Sequence, residues 1–290
     1  MDELPIKHWS HSSLVSFLRN PLAWHKRYVE EIYDTPTSPA AVIGRAAHKA
    51  LEHYYLPRVA GGKTGGGIGK DGAVELGLEY LRNVPDFEIN FGKARTRAAK
   101  KKKRAAMERE YLQAIGFFLA RPPRYKVLGV ESKATVEVSG LPLPIKAVSD
   151  LVVQSKVDRR GVDVVDFKFV SAFSPHKADK SLFVLQAIFN YYTVKKTFNK
   201  PVRRFIVHEC KVSRNADGAS QMRRYIIDFR VYRQEFVIFN HLLRDATLAL
   251  ANTRVFLPNP SDMFEGENSF DIYRINLNPE EYDAHFRPEE

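Results

Sequence analysis

Cysteine is nearly absent from this chain: among 290 residues, only Cys210 carries a thiol. One thiol excludes an intrachain disulfide and any zinc or iron–sulfur site built from several cysteines of the chain. The sequence also lacks a run of ~20 apolar residues, which a membrane-spanning helix requires. Its first residues, MDELPIKHWS, include acids and no hydrophobic stretch, unlike a secretory signal. We therefore expect a cytoplasmic or otherwise intracellular protein without a membrane partner.

Acidic residues are outnumbered by basic ones: 34 Asp and Glu stand against 45 Lys and Arg, a net charge of +11. A basic excess suits a polyanionic partner, because side chains that neutralise phosphates release condensed counterions. Many proteins are basic without such a partner, so charge alone leaves the two interpretations equal. The hydrophobic content of 44% is typical of a globular protein.

The first part of the chain is predicted to be helical. One helix is capped by Ser10 or Ser12 and stops at Asn20, and a second runs through Trp24 and Tyr28. Further helices are predicted from about residue 40 to 56, at 73–83 and at 95–119. Residues 60–72, AGGKTGGGIGKDG, predict a mobile loop. This loop is no phosphate-binding loop, because neither of its lysines has glycine six residues earlier.

From Tyr125 onward the pattern changes to turn-bounded, β-branched segments. Residues 127–138, 143–154 and 161–170 predict consecutive antiparallel strands. A helix at 179–197, strands at 202–211 and 222–229, and a helix at 231–250 follow. The order predicts a mixed α/β (α+β) fold, with a central mixed sheet flanked by helices and a helical N-terminal region.

Asp166 and Lys168 lie two residues apart in an apolar strand, so their side chains share one face of the sheet. Asp163 points to the opposite face. Charged side chains inside an apolar strand are costly unless they pair or hold a metal ion. For these two residues alone, a buried ion pair is the simpler interpretation.

Asp150 lies in the apolar strand before them. If the loop QSKVDRRG closes a symmetric hairpin, residues whose numbers sum to 316 face each other, and Asp150 lies opposite Asp166. Two adjacent carboxylates repel unless a cation lies between them. Oxygen ligands of this kind suit Mg²⁺ or Mn²⁺. The strand pair therefore indicates a metal site.

Two further polar residues lie on apolar helix faces. His48 shares its face with Gly44 and Leu51, and Glu52 could orient its ring. Such a histidine is more often a core residue than a ligand, although Gly44 would allow DNA or another backbone to approach. Gln186 follows the strand of Asp166, and either borders the core or hydrogen-bonds near a phosphate or attacking water.

A basic run opens the helix at 95–119. It consists of Arg95, Arg97, Lys100, Lys101, Lys102, Lys103 and Arg104. The run is either a solvated helix face or a surface that contacts phosphates, and the sequence favours neither.

Several motifs in order resemble the RecB-like branch of the PD-(D/E)xK nucleases, which includes AddB-type and CRISPR-associated exonucleases. They are SHSSLVSFLRNP, GRAAHKALE, Glu131, IKAVSDLV, VVDFK, LQAIFNYY and FLPNPSDMF, and they span most of the chain apart from residues 57–124. The resemblance implies one nuclease domain over residues 1–290 with a restriction-endonuclease-like core at 125–250. His48 would lie in a helical part (1–56), followed by an insertion (57–124), and a tail (251–290) would follow the core.

The resemblance also implies roles. His48, Asp150, Asp166 and the backbone carbonyl of Phe167 would bind Mg²⁺ or Mn²⁺. Lys168 would position or deprotonate the attacking water and stabilise charge on the phosphate. Gln186 would match the glutamine of the family's Q-x-x-x-Y helix, with Glu131 and Tyr191 in support.

The sequence departs from the family pattern at three places. Asn190 stands where the family has its tyrosine, with Tyr191 and Tyr192 just beyond, and Ala147 replaces a usual glycine. Many relatives bind an iron–sulfur cluster through four cysteines. Those places here hold Asn20, Glu265, Asn268 and Tyr273, so we expect no cluster.

The resemblance implies a metal-dependent DNA nuclease, an exonuclease by preference, from a prokaryote or phage. It would act in DNA recombination, repair, phage DNA metabolism or CRISPR-type processing. A structure-specific or nicking endonuclease is the alternative within enzymes. A non-catalytic DNA-binding or assembly protein on the same fold is the alternative from another class, and protein partners remain open.

Overall fold

A computed structural model of the protein describes residues 4–32, 36–59, 68–174, 180–215 and 220–258, with residues 180–182 described by their backbone alone. In these ranges the helices are α1 (His11–Arg19), α2 (Pro21–Tyr28), α3 (Pro39–Tyr55), α4 (Lys70–Asn83), α5 (Arg97–Ala120), α6 (Lys180–Phe198) and α7 (Arg233–Asn252). All seven were predicted by the sequence. Side-chain oxygens of Ser10, Asn20, Ser38 and Thr96 accept an amide hydrogen bond at the start of their helices, which satisfies a donor that the helix cannot.

The glycine-rich stretch differs from its prediction at one end. Residues 60–67 lie outside the described part of the chain. The last three residues, Lys70 to Gly72, form the first turn of α4 rather than a loop. Gly69 is the N-cap in extended backbone, and Asp71 lies in the first turn, where the helix dipole favours an acid.

The strands are β1 (Trp9–Ser10), β2 (Val127–Val136), β3 (Ile145–Gln154), β4 (Val162–Val170), β5 (Val202–Lys211) and β6 (Met222–Asp228). Five of them match the predicted strands. β1 was not predicted, because two residues are too few to show an alternating pattern. Its partner in the sheet is 136 positions later in the chain, since Trp9 pairs with Ile145 (145 − 9).

β3 lies at the centre of a mixed sheet. β2 pairs antiparallel along one edge of β3. On the other edge β4 pairs antiparallel with residues 151–154, and β1 pairs in parallel with residues 145–146. β5 joins β4 in parallel, and β6 joins β5 antiparallel. Between β1 and β4, residues 147–150 of β3 have no strand partner on this edge among the described residues, and we call this opening the fork.

Helices cover both faces of the sheet. On the face that we call the α3 face, α3, α4 and α5 pack on Leu151, Val165 and Phe167. On the opposite α6 face, α1, α2, α6 and α7 pack on Val152, Val164 and Phe205. The architecture is therefore the mixed α/β fold that the sequence predicted.

Residues 70–120 contribute directly to the core of the α3 face. Tyr111 and Phe118 of α5 are fully buried, and the ring of Phe118 meets Phe167 edge-on at 5.2 Å. Tyr111 also donates a hydrogen bond to the carbonyl of Val74 in α4. Because α5 packs directly against the strand that carries Asp166, these helices support the sheet itself.

The start of the C-terminal tail contacts the N-terminal helices. Phe256 stacks on His25 at 4.3 Å and lies 5.8 Å from Trp24. Leu22 donates its amide to the carbonyl of Leu257. Asn20, one of the four residues compared above with cysteines of the family that the sequence resembles, is buried and caps α2. The other three, Glu265, Asn268 and Tyr273, lie outside the described residues.

His208 in β5 should make the stability of the fold depend on pH. It is 6% exposed, and burial, helped by Arg224, lowers its pKa from 6.5 to about 4. The folded state therefore favours the neutral ring, and its stability should fall as pH drops from 6.5 to about 4, by up to about 3 kcal/mol. Urea unfolding at pH 7, 5.5 and 4.5 would measure this loss.

The matched variant is His208→Gln, which cannot titrate in this range. Its stability should change less than that of the parent between pH 7 and 4.5. Equal changes in the two proteins would show that other groups control the pH dependence.

Candidate functional site

The chain carries an irregularity where β2 and β3 pass the fork. On β3, Ala147 packs on the α6 face, whereas Leu151 packs on the α3 face. Four positions should return a side chain to the same face, so one residue is out of alternation. On β2, Glu131 has a φ of 45°. The pairing register of β2 with β3 is the same on both sides of Glu131, so no residue is inserted there. The irregularity instead turns the side chains of Glu131 and Asp150 towards α3.

α3 supplies the third member of this group. Nδ1 of His48 lies 3.5 Å from Oδ2 of Asp150. One ligand atom each from His48, Glu131 and Asp150 lies within 4.8 Å of the other two. Oδ2 of Asp150 also accepts the amide of Phe167 at 2.7 Å, which fixes the carboxylate at the edge of β4.

The electrostatics of this group reflect two acids and one imidazole. Burial would lower the pKa of His48, but the Asp150 carboxylate raises it to about 9. Burial and Asp150 together raise the pKa of Glu131 to about 7. The His48 cation lowers the pKa of Asp150 against the effect of burial. In this arrangement a proton on His48 balances the carboxylates, and a metal ion would have to replace that proton.

Asp166 and Lys168 form a second group on the α6 side of the fork. Asp166 is 5% exposed. Its Oδ1 accepts from Nζ of Lys168 at 3.1 Å and from Nε2 of Gln186 at 2.7 Å. Burial and Asp150 raise the pKa of Asp166 despite the lysine. Burial would lower the pKa of Lys168, but Asp166 and Asp150 raise it overall, so the lysine stays charged.

The predicted register of β3 with β4 is confirmed at residues 151–154. The predicted placement of Asp150 and Asp166 on one face of the sheet is wrong. Leu151 pairs with Val165 and Val152 with Val164, so residue numbers do sum to 316. The described pairing of β3 with β4 stops at Leu151, because the amide of Phe167 donates instead to the side chain of Asp150. Asp150 then contacts α3, while Asp166 contacts α6. The two carboxylates approach each other through the fork instead of lying side by side on one face.

These residues fit a divalent cation. His48, Glu131 and Asp150 offer one nitrogen and two carboxylate ligands within reach of one another. Oδ2 of Asp166 is buried without a hydrogen bond, although Nζ of Lys168 lies 2.9 Å away. This contact is an ion pair whose angle does not suit a hydrogen bond. One imidazole and two carboxylates within reach of one another, with the buried carboxylate of Asp166 across the fork, are ligands that suit Mg²⁺ or Mn²⁺.

Helix α6 positions Gln186 at the site but not Tyr191. Gln186 contacts Asp166, and Asn190 one turn later accepts from Ser149 at 2.6 Å and donates to the carbonyl of Gln186. Tyr191 lies about 140° further round the helix from Gln186 and packs on Phe229 and Phe236. The structure therefore does not bring Tyr191, expected in support, to the site.

Sequence reasoning missed Glu209. It is fully buried, lies opposite Lys168 in the parallel pairing of β4 and β5, and raises the pKa of that lysine after Asp166 and Asp150. The backbone amide of Ser174 donates to it at 3.2 Å. An acid between His208 and Cys210 in an apolar strand was the available signal, by the same argument that singled out Asp166.

Asp163 forms a buried ion pair on the α3 face. It is 1% exposed, and Nη2 of Arg204 lies 2.6 Å from its Oδ2. Sequence alternation placed Asp163 on the face opposite Asp166, so we expect its loss to matter little for cleavage. Asp163→Ala would leave the Arg204 charge unpaired, so we expect a loss of about 3–5 kcal/mol in the free energy of unfolding.

Urea unfolding of Asp163→Ala measures that loss, and cleavage per folded molecule should stay near the parent value. The double variant Asp163→Ala/Arg204→Met should recover part of the stability, because it buries no charge. A single variant as stable as the parent would show that the ion pair contributes little.

Only part of the basic run of α5 is exposed and available to contact a partner. Arg104 is ion-paired with Asp86 at 2.7 Å and donates to the carbonyls of Leu81 and Val84. Lys101, Lys102 and Lys103 are exposed. These lysines lie ~15–17 residues before Phe118, or about 23–26 Å along the helix, so they could reach only DNA well away from the site.

Replacing Lys101, Lys102 and Lys103 with glutamine tests this surface. If they contact phosphates, the slope of log K against log salt for duplex DNA should fall by up to ~0.9 per lost contact. Arg104→Gln serves as the contrast, because it should lower stability instead. An unchanged slope in the triple variant would assign the run to solvent.

Comparison with known proteins gives a family for the chain. The family model for the PD-(D/E)XK nuclease superfamily matches residues 8–262. A solved structure titled "Crystal structure of SSO0001" is similar at 12% identity and a TM-score of 0.31, covering 82% of this chain and 84% of that one. No curated protein matches the chain. Within the described ranges, no helix combines the length and apolarity needed to cross a membrane.

The family match includes every residue of the two groups at the fork: His48, Glu131, Asp150, Asp166, Lys168 and Gln186 all lie between residues 8 and 262. Nucleases of this superfamily act on nucleic acid and use divalent metal ions, which agrees with the donor set described above. This chain belongs to the PD-(D/E)XK nuclease superfamily.

Proposed function

We propose that the protein is a Mg²⁺- or Mn²⁺-dependent DNA nuclease, with exonuclease activity on DNA ends. The observation that supports this most is the meeting of two groups at the fork. On one side lie His48 and Asp150, and on the other lie Asp166 and Lys168. Acids that approach each other next to a charged lysine suit phosphodiester hydrolysis.

His48, Asp150, Asp166 and the backbone carbonyl of Phe167 would hold the metal ion. Glu131 lies close enough to be a further ligand. When bound, the ion supplies Lewis-acid charge that lowers the cost of negative charge on the scissile phosphate.

The remaining roles belong to side chains. Lys168 stays charged between two carboxylates, so it is suited to orient the attacking water and to stabilise charge on the phosphate. Gln186 holds the Asp166 carboxylate through its amide. Gly44 leaves room one turn before His48, since a Cβ there would meet nothing within 4 Å among the described residues. That space suits an approaching nucleic-acid backbone.

The finer assignment follows the motifs. GRAAHKALE, VVDFK and LQAIFNYY support a place in the RecB-like branch, with intracellular work in recombination, repair, phage DNA metabolism or CRISPR-type processing. An endonuclease is the second candidate, because the chemistry at the fork does not depend on a DNA end. The residues at the site also make a non-catalytic DNA-binding role less suitable, since binding alone does not require adjacent acids.

Digestion of end-labelled linear DNA and of closed circular DNA, each with Mg²⁺, Mn²⁺ or EDTA, tests the proposal. We expect linear DNA to be degraded from its ends with either metal and to stay intact in EDTA. Cleavage of circular DNA would favour the endonuclease instead. Absence of any metal-dependent cleavage would contradict the nuclease function.

A further inference from the structure

Past the fork, one face of β2 and β3 is left uncovered by the residues that the structure describes. Before the irregularity, Ala134, Ile145 and Ala147 pack on the α6 face, so Lys133 and Lys146 between them point to the opposite side. This is the side to which Glu131 and Asp150 turn. Val148, with the same orientation, is 43% exposed, whereas Leu151 and Val153 further along are covered.

The uncovered face is basic. Lys133 is exposed and Lys146 is half-buried. His8 comes just before Trp9, which pairs with Ile145 next to Lys146. Burial, and then the charges of Lys146 and Lys133, lower the pKa of His8. The face therefore presents two lysines, Lys133 and Lys146, with which no carboxylate of the described residues forms an ion pair.

We propose that this face binds the phosphates of one nucleic-acid strand leading away from the candidate site, with Lys133 and Lys146 as the contacts. The proposal rests on the proposed nuclease function and adds a direction for the substrate. Charge complementarity selects the occupant, since a polyphosphate backbone is the anionic partner that a nuclease must hold.

The spacing agrees with a short stretch of strand. Lys133 lies two residues from Glu131, and Lys146 lies four residues from Asp150, which correspond to about 7 Å and 13 Å along the strands. With the duplex axis along these strands, where one DNA strand has a phosphate every ~3.4 Å of axis, the lysines would contact phosphates about two to four nucleotides from the scissile bond. Val148 pairs with Lys133 across the two strands and follows Lys146 by two residues, so it offers an apolar contact for a sugar or base beside both lysines.

The test compares two double variants with equal loss of charge. Lys133→Gln/Lys146→Gln removes the proposed contacts. Lys195→Gln/Lys196→Gln removes two exposed lysines of α6, on the opposite face of the sheet. Binding of a fluorescent duplex oligonucleotide is measured by anisotropy in Ca²⁺, over a range of salt concentrations, alongside cleavage by the parent in Mg²⁺.

For the first variant we expect affinity to fall about tenfold or more at 0.1 M salt and the slope of log K against log salt to fall by up to ~1.8. The second variant should bind like the parent. Equal losses of DNA affinity in both variants, or no loss in the first, would overturn the proposed surface. Cleavage by the parent would then still support the nuclease function. A parent that neither binds nor cleaves DNA would overturn both.

Discussion

Lys168→Ala and Asp166→Asn are each expected to reduce DNA cleavage by about 10²–10⁴-fold, in line with the loss of a group acting directly on the reacting atoms. Lys168 is the one cation bonded to Asp166 among the described residues, and Asp166 in turn is held by Gln186. Removing either member leaves the phosphate without a positioned cation or without a metal ligand. Single-turnover cleavage of end-labelled DNA in Mg²⁺ measures the effect.

The control for the Lys168 and Asp166 variants is Asp163→Asn. Asp163 is an acid on the same strand whose side chain points to the opposite face. It should lower stability through its ion pair with Arg204 but keep cleavage per folded molecule near the parent value. DNA binding should survive in the Lys168 and Asp166 variants. If Asp163→Asn lost cleavage as severely as Asp166→Asn, the assignment of the reactive face of β4 would be wrong.

His48→Ala and Asp150→Asn are expected to weaken metal binding by at least about tenfold, since even residues that only support metal ligands commonly contribute that much. His48 and Asp150 contact each other at 3.5 Å and define the α3 side of the fork. Titration of cleavage activity with Mg²⁺ should therefore shift to higher concentration. Mn²⁺ should recover part of the activity of Asp150→Asn. Because Mn²⁺ accepts nitrogen ligands more readily than Mg²⁺ does, the activity that Mn²⁺ supports should depend more on His48.

Isothermal calorimetry of Mn²⁺ binding gives a second readout that does not require turnover. Lys49→Gln is a suitable control, because it neighbours His48 on α3 but pairs with Glu52. Glu131→Gln separates a ligand from a supporting residue: a ligand should lose metal affinity as Asp150→Asn does. Parent-like metal titrations of His48→Ala would make His48 an ordinary core residue.

The sequence by itself determined the order of helices and strands, because each element carries its own local signals. Ser10, Asn20 and Thr96 cap helices through hydrogen bonds to residues three positions later. Alternation within β4 placed Asp166 with Lys168 and apart from Asp163. The symmetric loop of residues 155–161 between β3 and β4 fixed their register, since the pairing of such a hairpin follows from the centre of its loop.

The composition of the site was decided by tertiary structure. His48 and Asp150 are 102 positions apart (150 − 48), and they meet only because α3 packs across the sheet beside the fork. Alternation also fails at Glu131, whose left-handed backbone depends on how β2 passes β3. Glu209 joins Lys168 through parallel pairing of strands that α6 separates in the chain. Local pattern carries no information on such contacts, because their free energy arises between segments that touch only in the folded protein.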